Sequence, residues 1–241
     1  MIFQIFQNGL SFAQNITLIA VMLITVFFSM TLHECAHGYV SYLQGDDTAK
    51  RAGRLTLNPI KHIEPLGAIC MIFCGFGWAK PVPINPRRYS NPKKGTAITA
   101  VAGPIINLTV GISTTALLTV FVWLYETGLY AGLPLLRYMS ISAYETVYTA
   151  LYIVLYYNLL FAVFNMLPLP PFDGSRLLLA VLPSKYYFGI MRYEKLIMLL
   201  IFLMLWTGMF TGVFEAFVDA IITVVSGAML HLLELVLKLL M

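Results

Sequence analysis

An all-α, polytopic membrane protein of about five transmembrane helices is the fold class this sequence predicts, with a re-entrant or extended hairpin after the first helix. Three observations carry that expectation. Of the 241 residues, 59% are hydrophobic and only 11% charged, against about 25% charged in an average soluble domain. The apolar residues gather into stretches near the roughly 20 residues that a membrane-crossing helix needs. The basic residues are sorted between those stretches instead of being spread along the chain. The three cysteines offer no CxxC pair and no disulfide framework. With no Lys or Arg in the first fourteen residues, a cleavable signal peptide is not expected. No repeat or long polar stretch marks an appended soluble domain, so residues 1–241 read as one membrane-embedded domain. The modest net charge of +4 asks for no nucleic-acid partner.

The first span is expected over about Ile16–Tyr42, the second over Thr96–Leu124, and the third over Ser142–Leu167. A fourth is expected over Leu196–Phe214, and a fifth, amphipathic at its end, over Phe217–Leu240. Nine of the fifteen basic residues lie between the first two spans, from Lys50 to Lys94. Arg176, Lys185, Arg192 and Lys195 lie between the third and fourth, Lys238 at the inner end of the last, and Arg137 alone on the other side. Because basic loops stay cytoplasmic, this layout puts the N-terminus outside. Between the first two spans, "PLGAICMIFCGFGW" (65–78) is apolar but too short to cross. Pro81, Pro83, Pro86 and Pro92 then favour extended or turn structure over helix. A short apolar piece followed by proline-broken chain suits a re-entrant or interfacial hairpin; a cytoplasmic loop packed on the protein suits it as well.

Chemistry concentrates in "HECAH" (33–37). His33 and His37 are spaced i, i+4 and share one helix face. H-E-x-x-H on a helix is the pattern in which two imidazoles bind zinc and the glutamate, here Glu34, activates water. Its place in an apolar span sharpens the reading, since an acidic side chain deep in a membrane costs about 2.5–3.5 kcal/mol on insertion scales. A divalent cation accepts the imidazoles and favours the ionised carboxylate. The alternative is a hydrogen-bonded polar cluster between helices. Cys35 faces another side of the helix and reads as a small apolar residue; Cys70 and Cys74 read as helix packing.

A catalytic zinc takes a third protein ligand. Glu126, Glu145, Glu215 and Asp219 lie toward the outer side. Asp46 is nine residues past His37, about 13 Å along a helix, and is expected to point away near the surface. His62 and Glu64 read as solvated loop residues, and Glu194 as part of an ionic cluster with Arg192 and Lys195. Asp173 remains, in "FNMLPLPPFDGSRLL". Pro168, Pro170 and Pro171 stop the third helix, and the stiff turn can fold back to hold a carboxylate at fixed depth; a surface Asp-Gly turn is the competing reading. Asn107 and Asn165 are candidates for holding a substrate backbone or a developing oxyanion, or else helix-packing polar residues.

These motifs resemble those of the site-2 protease family of intramembrane zinc metalloproteases, in a short form without PDZ or CBS domain. The resemblance rests on "HECAH" (33–37), on "AGPIIN" (102–107), similar to the family's G-x-x-x-N element, and on "NMLPLPPFDG" (165–174), similar to its N-x-x-P-x-P-x-x-D-G motif. "GWAKPVPINPRR" (77–88) looks like the family's segment after the first core helix. The resemblance implies one Zn2+ per chain held by His33, His37 and Asp173, with Glu34 as general base, and places Asn107 and Asn165 by the active site. It implies a three-helix catalytic core (about 15–185, with further helices over 190–241). It also implies cleavage of transmembrane segments near the cytosolic face of what is expected to be a prokaryotic cell membrane. Substrates are then membrane-bound, whether regulators or leftover signal peptides. The helical substrate must open locally, and the 65–95 segment offers an extended edge to pair with it. A metal or proton transporter is the alternative function, though the internal repeats common in transporters are not visible.

Overall fold

The computed structural model describes residues 11–74, 77–127, 139–209 and 211–240. Arg137 and residues 75–76 of the expected hairpin lie outside the described residues. Nine α-helices and two 3-10 turns account for the regular structure among the described residues.

Helix α1 (Phe12–Leu43) opens on a capping box, in which Ser11 accepts from the Gln14 N–H and the Gln14 side chain answers the Ser11 N–H. It is apolar nearly all round, as a helix in lipid must be. The short α2 (Thr48–Arg51) follows, then a 3-10 turn at Pro59–Lys61. Helix α3 (Pro65–Cys74) has ten residues, about 15 Å, and is too short to cross, as its sequence predicts. The chain then runs back extended. Ile63 and Ala79 form an antiparallel bridge, and the Lys80 N–H donates to the His62 carbonyl at 2.8 Å. Helix and extended return together make the expected hairpin.

Helix α4 (Pro92–Glu126) starts with Asn91 as N-cap and Pro92 at the first position, where a missing N–H costs nothing. Helix α5 (Ile141–Asn165) is capped by Ser140. After the proline turn come α6 (Gly174–Val181), α7 (Ser184–Met191), α8 (Glu194–Trp206) and α9 (Thr211–Leu240).

Four helices, α1, α4, α5 and the 212–239 stretch of α9, are long and apolar enough to cross a membrane. The expected fourth span is shorter than its sequence suggests. Helix α8 has thirteen residues, about 20 Å, against a hydrocarbon core of about 30 Å. Gly208 ends it with φ +72°, and the Met209 N–H reaches back to the Met204 carbonyl at 3.1 Å. That is a glycine-terminated helix stop inside an unbroken apolar run, so composition alone reads through it.

Helix α4 is the hub, packing on α1, α5, α6 and α9, while α1 also meets α5. The apolar core joins Leu118 of α4, Leu155 and Leu159 of α5 and Val218 of α9. It leaves the α1–α4 seam to polar groups.

Candidate active site

His33 and His37 stand one turn apart on α1 and are buried. Their rings meet edge to face with centroids 4.6 Å apart. The two Nε2 atoms are 3.0 Å apart, and Asp173 Oδ2 lies 2.9 Å from the first and 3.0 Å from the second. Among the described residues this is the one cluster of three side chains able to share a metal ion.

The rings are turned by their other nitrogens. His33 Nδ1 donates to Asn107 Oδ1 at 2.6 Å and His37 Nδ1 to the Thr99 carbonyl at 2.7 Å. Both partners only accept, so the proton belongs on Nδ1 and the Nε2 lone pair faces the cluster. Two lone pairs and a carboxylate oxygen within 3.0 Å repel one another unless a cation lies between them. Tetrahedral ligands at zinc–donor distances are roughly 3.3–3.6 Å apart, so the donor triangle needs little adjustment to take the ion. Three protein donors also leave the open position a catalytic site requires.

Asp173 reaches the histidines because of its turn. Its carboxylate does not cap α6, which begins at the next residue. Phe172 is buried and its ring packs on Phe164 at 4.3 Å. Gly174 lies against backbone carbonyls, and a Cβ there would sit 2.5 Å from the Leu167 oxygen. Gly103 of α4 closes the opposite wall. A Cβ on it would come within 2.5 Å of His33 Nε2 and 2.6 Å of His37 Nε2.

Glu34 stands apart from the donor triangle. Its Oε2 accepts from the Val82 N–H at 2.7 Å, which ties the extended segment to the α1 carboxylate. Cys35 faces elsewhere, as expected, and donates to the Thr56 carbonyl at 2.7 Å.

Both asparagines are hydrogen-bonded within the protein. Asn107 is fully buried with both ends of its amide in use. Oδ1 serves His33, while Nδ2 donates to Asn158 Oδ1 at 3.0 Å and to the Ser29 carbonyl at 3.4 Å. In this arrangement Asn107 Oδ1 positions the His33 ring and its Nδ2 is engaged by α5 and α1. Asn165 ends α5 with Nδ2 bonded back to the Phe161 carbonyl at 3.0 Å. That bond ties the side chain to the last turn of its own helix.

Three further residues were misread from sequence. Asp46 is fully buried, because the chain reverses at Gly45 and turns the carboxylate inward. It accepts from Ser41 Oγ at 2.9 Å, from the Asn85 N–H at 2.7 Å, and from Thr48. Burial pushes its pKa up, but the hydrogen bonds from Asn85, Thr48 and Ser41 outweigh it and hold the carboxyl below its ordinary value. His62 is 2% exposed, with Nε2 bonded to the Thr56 carbonyl at 2.9 Å. Glu64 is half-buried and caps the start of α3 through the Gly67 N–H at 2.5 Å. Asn158, 1% exposed on α5, was missed. The available signal was a polar side chain in an apolar span.

A family model described as peptidase family M50 matches residues 21–208. The chain is 40% identical over 168 residues to YwhC of Bacillus subtilis (strain 168), which bears a zinc metalloprotease name, covering 70% of this chain and 72% of that one. It is 27% identical over 188 residues to the zinc metalloprotease MJ0392 of Methanocaldococcus jannaschii, covering 78% of this chain and 41% of that one. It is 25% identical over 151 residues to Rip2 of Mycolicibacterium smegmatis, which also bears a zinc metalloprotease name, covering 61% and 51%. No solved structure matches.

Proposed function

The chain belongs to peptidase family M50, and from that premise we propose that His33, His37 and Asp173 hold its zinc and that Glu34 is its general base. The protein is an intramembrane zinc metalloprotease, and its substrates are embedded in the bilayer. The transporter alternative finds no support in the comparisons. The observation that carries the residue assignment is the convergence of two Nε2 atoms and one carboxylate oxygen within 3.0 Å, each imidazole held by a hydrogen bond at Nδ1.

When bound, zinc polarises the substrate carbonyl and makes a water acidic enough to deprotonate near neutral pH. Glu34 would serve as the proton carrier, its free carboxylate oxygen taking a proton from the attacking water and passing it to the leaving amine nitrogen. The Val82 N–H, on one carboxylate oxygen, keeps the group in place and leaves the other oxygen for the proton. Asn107 and the Thr99 carbonyl hold the two imidazoles in the tautomer whose Nε2 can donate a lone pair. Arg54 Nη2 donates to the Lys80 carbonyl at 2.6 Å, and Asp46 accepts from the Asn85 N–H. The extended segment is thus fastened at both ends beside Glu34, where an opened substrate strand would lie. The core is assigned to about 15–185, with the N-terminus outside and the site toward the cytoplasmic face, as the basic loops imply.

Zinc content and cleavage of a single-span substrate test the assignment in purified wild type, Glu34→Gln and Asp173→Asn. Near-stoichiometric zinc in wild type and Glu34→Gln, cleavage by wild type alone, and zinc loss in Asp173→Asn are expected. Full zinc in Asp173→Asn, or cleavage by Glu34→Gln, would refute it.

A further inference from the structure

The acceptor that turns the His37 ring is a main-chain oxygen, the Thr99 carbonyl. Its position depends on how α4 is held against α1 at that level, and the side chain of the same residue shows how. Thr96, Thr109, Thr114, Thr115 and Thr119 of α4 each donate their hydroxyl to the carbonyl four residues back in the chain. Thr99 bonds across the seam instead. Its Oγ1 lies 2.8 Å from Gln44 Nε2 at the end of α1 and 3.1 Å from Tyr89 Oη. Tyr89 Oη lies 2.8 Å from Ser41 Oγ, and Ser41 Oγ donates to Asp46 Oδ2 at 2.9 Å. Ser41 and Asp46 are fully buried, and Thr99 and Tyr89 nearly so.

The two ends of this chain of hydrogen bonds fix its direction. The Gln44 nitrogen, which also reaches the Val40 and Gly95 carbonyls, can only donate, and the Asp46 carboxylate can only accept. Ser41 donates to Asp46 and therefore accepts from Tyr89. Tyr89 in turn accepts from Thr99, and Thr99 from Gln44. Each of the three hydroxyls has one donor and one acceptor, so none is left to rotate. Ser41 stands one turn past His37 on α1, and Thr99 one turn before Gly103 on α4. The chain thus crosses the seam about 6 Å along the helix axes from the donor triangle. Tyr89 is its middle member and belongs to neither helix. Its ring fits there because residue 95 is glycine; a Cβ would collide with it.

We propose that Tyr89 is a positioning residue of the zinc site: its hydroxyl fastens Thr99 of α4 to Ser41 of α1, and through the Thr99 carbonyl it sets the His37 ring. The inference rests on the reading of His37 as a zinc ligand. Without the Tyr89 oxygen, the Thr99 hydroxyl is left the Gly95 carbonyl four residues back, the kind of bond its neighbours on α4 make. The link from α4 to Ser41 is then gone, one turn from His37. Val82 and Tyr89 lie on the same segment, so one stretch of chain holds the proposed base through Val82 and a proposed ligand through Tyr89.

The test compares Tyr89→Phe, Thr99→Val, the two together, and Thr99→Ser with wild type in detergent. Zinc affinity by chelator competition, the visible spectrum of the cobalt-loaded protein and the melting temperature of the metal-free protein are read for each. Phenylalanine keeps the ring against Gly95 and removes only the hydroxyl. Tyr89→Phe is expected to weaken zinc binding about two- to tenfold, the size of one net hydrogen bond, and to shift the cobalt spectrum. Thr99→Val should do at least as much. The double variant should bind no more weakly than Thr99→Val alone, because both changes remove the same link. Thr99→Ser keeps the hydroxyl and should stay within about twofold of wild type. Wild-type zinc affinity and an unchanged cobalt spectrum in Tyr89→Phe overturn the proposal, even where the protein melts earlier, since that leaves Tyr89 a packing role. A further loss in the double variant, or a Thr99→Ser protein as weak as Thr99→Val, overturns it as well. If Tyr89→Phe does not fold, Thr99→Val against Thr99→Ser decides by the same measure. Wild-type zinc affinity in His37→Ala sinks the ligand assignment instead. None of these readouts needs a substrate, so the protease activity is tested apart from them.

Discussion

Replacing Asn158 by leucine should weaken zinc binding at a site it never touches. Asn158 Oδ1 accepts from Asn107 Nδ2 at 3.0 Å, and the only other acceptor shown for that amide is the Ser29 carbonyl at 3.4 Å. The shorter bond decides which end of the Asn107 amide faces His33. Without it, the amide is free to flip and present N–H to the His33 Nδ1–H, donor against donor. Leucine is close in size and the Val154 carbonyl keeps its helical partner, so the loss is confined to the relay. A buried donor left unsatisfied costs about 1–3 kcal/mol. Loss of an outer partner of a metal-bound histidine costs about 10–100-fold in affinity, which is roughly 1.4–2.7 kcal/mol, so two independent routes agree. The assay is zinc affinity by chelator competition in detergent, with the visible spectrum of the cobalt-loaded protein as a second readout. Leu155→Ala is the control. It empties a fully buried core position on the same helix, so it should cost about 2–5 kcal/mol in stability and leave zinc affinity alone. A wild-type zinc Kd in Asn158→Leu, or equal weakening in Leu155→Ala, would refute the relay.

Gly103→Ala should abolish zinc binding while the protein stays helical, since the new Cβ would sit 2.5–2.6 Å from both Nε2 atoms; metal analysis beside circular dichroism checks it, and stoichiometric zinc would count against the site. Asp46 makes a pH-dependent contribution. Its folded pKa lies below the unfolded value, so the stabilisation is fully present above the ordinary carboxylate range near about pH 4 and is lost as pH falls through the folded pKa. Asp46→Asn should therefore melt earlier than wild type at neutral pH, by about 1–3 kcal/mol of stability, with the two curves converging in acid. A gap that widens below pH 4 would contradict that sign.

The spans that matter most were legible because a helix in lipid writes its length into apolar composition, and α1, α4 and α5 begin and end within a few residues of expectation. His33 and His37 were legible because i, i+4 spacing is a local property. Asp173 was legible because three prolines both end a helix and fix the turn behind it. What escaped depends on contacts between distant segments. Asn107 could be placed in its span, but its partner His33 lies 74 residues away and Asn158 a further 51 on the other side. Asp46 and His62 read as surface residues because charge and loop position are poor guides when the loop itself is folded against the helix. The break after α8 hangs on one glycine in a run of hydrophobic residues.

The absence of a side chain at residue 103 ties the donor triangle to the crossing of α1 and α4. With hydrogen the only atom on that side, α1 and α4 are in contact at the donor triangle, and nothing there can yield if the helices shift. Both helices, 32 and 35 residues long, span about 48 and 52 Å, well beyond a hydrocarbon layer of about 30 Å. Helices of that length answer a change in bilayer thickness by changing tilt. On the proposed assignment, a thicker or thinner membrane is expected to change the crossing of α1 and α4, and through it the spacing of His33, His37 and Asp173.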